Sequence, residues 1–568
     1  MRTPRPQGTS RDPGANGYSQ ANIYSQANIY SQTHIHSQAH AHPSPVGQGA
    51  AIHRLGAPAF AQHPPWRRRP GVAILRAMSP PPPDSHGSDV PPPDANRPTE
   101  LPDALAFEAA AAPRPAPRKL APKREIFGWA MFDFANQAYT LLIITVVFGD
   151  LFTRVIVGDR GDDFRLGNLL WSLGLSTSYL MVVLTAPLLG AIMDFSASRK
   201  RFLFASYLLT VVATACLWFV APGYVALGVL LLVISNFAYA VGESFIASFL
   251  PSLGPPEKLG KISGFGWGLG YVGGLVSAGF VLVFLGEVSE ENFERIRWVG
   301  PFAAGFFLLA ALPTFIWLKE RGARRPLPPG RGYVSVGWER LRRTGRELAR
   351  FRDLAVLLLS IFFTMAGIYI VITFAFIYGA QVIGWDEGIR QLMFIVVQIT
   401  AAAGALGFGA IQDRVGARRT YIVTLVLWIL AILAIWSTPQ LARWAEALLG
   451  VSWEAQHVFL FAGCLAGLSL GSSQSAGRAL VAILSPQEKA AEFFGFWGLA
   501  AKLAAVFGVL GLGVLQSWFG LQSAILFCAV LFAAAIVVGL AVDEGRGRRW
   551  AEEYSELAEG SEPGTKDG

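Results

Sequence analysis

The sequence predicts an all-α polytopic membrane protein of twelve transmembrane helices arranged as two pseudo-symmetric six-helix bundles. Three observations carry this: long apolar runs, basic residues confined to alternate turns, and one charged turn that recurs in each half. Only 15% of residues are charged against 52% hydrophobic, where a soluble domain carries about 25% charge. The formal charge of +8 sits in short turns between apolar runs. That pattern speaks for positive-inside topology and against a nucleic-acid partner.

Residues 1–124 form the first predicted region, a disordered low-complexity tail. It holds the tandem repeat that begins at Tyr18, an alternating set His34, His36, His40 and His42, and proline runs at 80–83 and 91–93. Such composition builds no core. A docking tail and a gene start placed too far upstream are both open readings. No apolar stretch follows Met1, so no cleavable signal peptide is expected. The histidines read as filler rather than as a metal site.

Twelve apolar runs follow: 127–148, 168–192, 202–221, 225–249, 263–285, 299–318, 354–378, 391–411, 420–437, 457–482, 493–515 and 522–542. A hydrocarbon layer of roughly 30 Å needs about 20 helical residues. In lipid only a helix satisfies its own backbone over such lengths. The ninth run is the shortest.

Charge assigns the sides. Arg118, Lys119, Lys123 and Arg124 precede span one, Arg199, Lys200 and Arg201 follow span two, and Arg414, Arg418 and Arg419 follow span eight. The turn 319–353 carries eleven Arg or Lys against four acidic residues. Alternate turns are acidic or neutral, as with Glu287, Glu290, Glu291 and Glu294 after span five. Both termini and the middle turn are therefore expected in the cytoplasm. The domains read as an N-terminal six-helix bundle at 125–318, a basic linker at 319–353, a C-terminal bundle at 354–543 and a polar tail at 544–568. Within the linker, 338–352 reads equally as an interfacial amphipathic helix or a solvated connector.

The recurring turn is Gly190-Ala-Ile-Met-Asp194-Phe-Ser-Ala-Ser-Arg199 after span two and Gly409-Ala-Ile-Gln-Asp413-Arg414-Val-Gly416-Ala-Arg418 after span eight. The glycine admits a close neighbouring helix, and the aspartate can pair with a basic residue or cap a helix N-terminus. This turn resembles the signature of the major facilitator superfamily, in which it latches the two halves. The first copy has Phe195 in place of the arginine and lacks the central glycine, so a weaker or differently paired latch is expected there.

A narrower resemblance covers roughly 125–543. It rests on Phe132-Asp133-Phe-Ala-Asn136-Gln-Ala-Tyr139, on Ser263-Gly-Phe-Gly-Trp267-Gly-Leu-Gly-Tyr271-Val-Gly-Gly274, and on Gly471-Ser-Ser-Gln474-Ser-Ala-Gly-Arg478. These are similar to the Atg22-like permease branch, which includes bacterial permeases and a yeast vacuolar amino-acid effluxer. The resemblance implies a secondary or facilitative transporter, with amino acids as cargo and spans one, four, seven and ten lining its cavity. Ala366-Gly367 stands where that branch often carries Asp-Gly, which removes one carboxylate.

Charges inside spans are costly and face a cavity or a partner. Asp133, Asn136 and Tyr139 fall at helical spacing on one face. With Glu243, Trp267, Tyr271, Gln474 and Arg478 they are the candidates for solute or proton handling, and either Asp133 or Glu243 can pair with Arg478. Gly190, Asp194, Arg199, Gly409, Asp413, Arg414, Arg418 and Lys502 are the candidates for gating or structure, with Asp194 a conceivable partner of Lys502. Gln474 and its neighbouring serines either bind solute or satisfy one another. The glycines of span five read as helix packing, and Pro187 and Pro313 as kinks.

Other functions fit less well. Seven of eight histidines precede span one and the eighth, His457, stands at the mouth of span ten, which leaves little for an enzyme. A channel lacks a filter-like repeat, and a scaffold needs no polar cluster. No cofactor and no metal are expected. The expected partners are a small-molecule solute, a coupling proton and the bilayer, the expected state is a monomer, and the expected location is a bacterial inner membrane.

Overall fold

A computed structural model describes residues 119–158, 165–285, 288–321, 327–346, 351–449 and 454–560. The histidine stretch and nearly all of the expected tail lie outside these residues. The end of that tail belongs instead to the folded body: Ala121 is buried and its N–H donates to Leu253 O at 2.9 Å.

Among the described residues eleven helices are long and apolar enough to cross a membrane. Spans one to six are Lys123–Val157, Leu166–Ser196, Arg199–Phe219, Val225–Ser252, Pro256–Leu285 and Phe293–Trp317. Spans seven to eleven are Arg352–Ile383, Gly388–Val415, Ala417–Trp436, Ala455–Leu484 and Gln487–Ala524. The twelfth, Leu526–Leu540, meets Glu544–Glu556 at a bend of 62°. Its approach begins earlier, because helical geometry breaks at Gly520, whose φ of 75° is open to glycine. The helices outrun the apolar runs at many ends, since polar turns at the lipid boundary extend a helix that hydropathy alone cannot see.

The two prolines behave differently. Pro187 sits inside an uninterrupted helix. Near Pro313 the helix breaks at Ala311 and restarts at Leu312, which puts the proline in a first turn where its missing N–H costs nothing. The linker contains a helix, Tyr333–Arg346, whose Val336 and Gly337 are buried against span two while Val334 and Trp338 stay exposed. The stretch expected as a polar tail is helical over Glu544–Gly560. A short helix that hydropathy did not single out, Thr438–Leu449, joins spans nine and ten.

Packing across the seam between the halves is heaviest between spans two and eleven and between spans five and eight. Glycine makes both crossings possible. A methyl group on Gly190 would strike the Ala491 carbonyl, and one on Gly495 the Ala186 carbonyl at 2.6 Å. The second crossing repeats this, with Gly409 against the Gly260 carbonyl at 2.7 Å and Gly264 against Ala405. The repeated turn and the close glycine contacts across the seam are thus one feature, seen twice.

Candidate functional site

Among the described residues two ion pairs near the centre of the spans join the halves, one buried and one half-buried. Asp133 of span one accepts from Arg478 Nη1 of span ten at 2.8 Å. Arg478 is also fixed to span five, donating to Ser263 Oγ at 3.2 Å and to its carbonyl at 3.0 Å. Its guanidinium lies over the rings of Trp129 and Trp267, 4.7 and 5.1 Å from their centroids. Gly266 allows this assembly, since a side chain there would meet Asp133 Oδ2 at 2.5 Å and Arg478 Nη2 at 2.8 Å. Part of the glycine crowding in span five therefore makes room for a charge pair as well as for a helix.

The second pair links Glu243 of span four to Lys502 of span eleven at 3.4 Å. Of the two acids read as partners for Arg478, the structure chooses Asp133. Lys502 does not reach Asp194. Its ammonium contacts Tyr369 Oη at 3.4 Å and faces the ring of Tyr179 at 5.2 Å. Glu243 Oε1 accepts from the Tyr239 hydroxyl at 3.0 Å. In both pairs the N-terminal half supplies the acid and the C-terminal half the base.

The remaining candidates divide. Tyr271 donates to Gln474 Oε1 at 2.6 Å and stacks near Trp267. Tyr139 turns away from Asp133 and bonds Ser235 of span four at 2.8 Å, because six residues of regular helix rotate it roughly 120° from Asp133. The expected common face of Asp133, Asn136 and Tyr139 therefore serves different neighbours. Asn136 Oδ1, Trp267 Nε1 and Ser475 Oγ are buried with no hydrogen-bond partner among the described residues. The other serines near Gln474 are occupied: Ser472 donates to Ser469 O, and Ser473 accepts from Trp428 Nε1. Sequence reasoning missed Trp129, Tyr179, Tyr239 and Tyr369. It also missed Gln137 and Gln398, which flank Gly274 of span five.

On the face that carries the basic turns, each repeated turn bonds the start of a helix in the opposite half. Asp194 receives the backbone N–H groups of Ala491 and Glu492, the start of span eleven, at 3.2 and 2.9 Å. A carboxylate at a helix N-terminus is favoured by its free N–H groups and dipole. Arg199 pairs with Asp194 at 2.6 Å and donates to the carbonyls of Gln487 and Ser248. In the second copy Asp413 receives the N–H of Lys261, at the start of span five, at 3.2 Å. Arg414 is exposed, and Arg418 donates to Leu540 O. The copy that departs from the pattern is thus paired differently, through Arg199, and is the more completely bonded of the two. Its missing glycine has a counterpart in the backbone: Ala197, aligned with Gly416, has a φ of 45°.

Residues 169–260 and 256–552 match the family described as vacuole effluxer Atg22 like. The chain belongs to the Atg22-like family. An uncharacterized MFS-type transporter of Bacillus subtilis, YxiO, is 25% identical over 76% of this chain and 97% of its own length. Autophagy-related protein 22-1 of Aspergillus niger is 23% identical over 57% of this chain, which spans only 53% of that protein. Among solved structures, the proton:xylose symporter XylE superposes with a TM-score of 0.58 at 15% identity, over 76% of this chain and 99% of XylE. The transporter FucP in its outward conformation gives 0.56 at 13%, over 74% and 98%. At such identities the structures establish the fold alone. The chain is an integral membrane transporter of the major facilitator superfamily and not an enzyme. Within the Atg22-like fold, the three resembling segments of spans one, five and ten meet at one place, the Asp133–Arg478 pair.

Proposed function

We propose that this transporter carries a small polar solute, with amino acids the best-supported class, across a bacterial cytoplasmic membrane by alternating access. The amino-acid assignment rests on the family resemblance. The polar layer around Asp133, Asn136, Tyr139, Glu243, Trp267, Tyr271, Gln474 and Arg478 handles the solute or a coupled proton. The turns around Gly190, Asp194, Arg199, Gly409, Asp413, Arg414 and Arg418 gate it. The positive-inside rule makes the basic face cytoplasmic, with both termini on that side, and the chain acts as a monomer.

One observation carries the reading: two ion pairs at the seam, one buried and one half-buried, each with its acid on one half and its base on the other. Buried pairs add little stability over apolar side chains of similar volume. Two of them across a sliding interface fit a device that makes and breaks them as the halves rock about a central site.

The test is counterflow in proteoliposomes with pooled labelled amino acids, sugars and organic ions, with and without a pH gradient. Amino-acid exchange is expected, and exchange of none of them rules out the substrate class. Coupled uptake that persists in Asp133→Asn and Glu243→Gln removes the proton role.

A further inference from the structure

The two seam pairs differ in how firmly each base is held. Arg478 is held firmly: each of its three nitrogens donates, one to Asp133 and two to Ser263, and two indole rings lie against it. A planar guanidinium held by three directed bonds is not easily exchanged for another cation. Lys502 is held loosely. Its contacts to Glu243 and Tyr369 are both 3.4 Å, beyond the 2.7–2.9 Å usual for a charge-assisted bond. The rings of Tyr179 and Tyr369 lie 5.2 and 5.9 Å from its ammonium, within the range of cation–π attraction.

The acid, by contrast, is fixed without Lys502. Glu243 is held by Tyr239, whose hydroxyl is bonded in turn to Thr140 Oγ1 at 2.7 Å and whose ring stacks on Tyr139. Glu243, Tyr239 and Tyr179 all belong to the N-terminal half. Glu243 and the ring of Tyr179 set a carboxylate beside an aromatic face, with Tyr239 holding the carboxylate in place, which is the chemistry that recognises an ammonium group. Lys502 arrives from the other half on a flexible stem.

We infer that Lys502 is a tethered occupant of an ammonium site built by Glu243, Tyr239 and Tyr179, and that the cargo's own ammonium group takes this place when the halves part. Withdrawing Lys502 leaves a half-buried carboxylate at the seam without its cation, a state that a second cation relieves. Lys502 therefore acts as a specificity residue rather than as a gating strut: it competes with cargo for Glu243 and favours solutes that bring an amine. This inference rests on the transporter reading above and extends it to the group recognised.

The experiment is leucine counterflow in proteoliposomes, with leucinamide and N-acetyl-leucine as competitors. In the parent protein leucinamide inhibits and N-acetyl-leucine does not. Lys502→Met removes the competitor, and the apparent KM for leucine and the inhibition constant of leucinamide both fall, by about tenfold if the tether fills the site nine-tenths of the time. Lys502→Arg keeps the site filled and shows no such fall. Glu243→Gln erases the preference for the free amine. A parent inhibited equally by N-acetyl-leucine and leucinamide overturns the inference, as does an unchanged or raised KM in Lys502→Met. The parent comparison needs no variant to fold. Exchange of sugars alone, or of no solute, instead overturns the reading on which it rests.

Discussion

Replacing Asp194 by Asn tests the latch at its stronger end. The side chain is fully buried and holds Arg199 at 2.6 Å together with two N–H groups at the start of span eleven. Asparagine keeps an acceptor but loses the charge, and leaves Arg199, itself nearly buried, without its anion. Breaking a buried pair on one side costs about 3–5 kcal/mol. The two N–H bonds to span eleven, and the bond of Arg199 to the Gln487 carbonyl, cross between the halves at the basic face, so much of the cost falls on that closed state. Its open counterpart should gain about two orders of magnitude in population, at roughly 1.4 kcal/mol per decade. In the second copy Asp413 has one N–H at 3.2 Å, and Asp413→Asn should cost about 1 kcal/mol. The assay is maleimide labelling of Ser248→Cys in detergent, with Cys216, Cys464 and Cys528 replaced. Ser248 is wholly buried beneath Arg199, and its labelling rate reports opening. Equal rates in Asp194→Asn and its parent, or a larger effect in Asp413→Asn, would refute the reasoning.

Ala197→Gly should stabilise the protein by about 0.5–1 kcal/mol, because alanine at φ 45° carries a left-handed penalty that glycine lacks; a lower unfolding midpoint in detergent counts against this. Asp133→Leu or Arg478→Met alone should destabilise by about 3–5 kcal/mol, and the double variant by less than either. A thermal series on the three proteins decides it, and strict additivity contradicts it. Burial pushes the Glu320 carboxyl up, although the Lys200 N–H and the charge of Arg199 oppose this. A raised folded pKa means stability present at low pH and lost as pH rises through that value. Glu320→Gln should therefore flatten the decline in unfolding midpoint from pH 4.5 upward, and an unchanged slope removes Glu320 as its source.

Much of the fold was legible because lipid imposes length and charge rules on every crossing helix. Hydropathy located the twelve runs, and the Gly–Asp–basic turn marked the points at which the halves touch. Partners were less legible. Asp133, Glu243, Arg478 and Lys502 all stood out as charges in apolar runs, but which acid meets which base depends on the depth and rotation of each helix, and neither is fixed by spacing. Lys502 nonetheless carried a usable signal: a mid-span ammonium requires an acid at like depth, and Glu243 is one of few. Tyr179, Tyr239 and Tyr369 left no such mark, since a tyrosine in an apolar run reads as core or lipid boundary. The helix at Glu544–Gly560 was hidden by its polarity, although Ala551 and Tyr554 gave it an inward side, with Tyr554 against Phe351.

The partition of charge at the seam bears on how such a chain assembles. Two copies of the N-terminal half would bring Asp133 and Glu243 against their own kind, and two copies of the C-terminal half would do the same with Arg478 and Lys502. Expressed as separate polypeptides, the halves would refuse to pair with themselves and would recombine only with each other. The duplication still readable in the turns has thus been rewritten into complementarity, and the covalent linker enforces a stoichiometry that the buried charges already require.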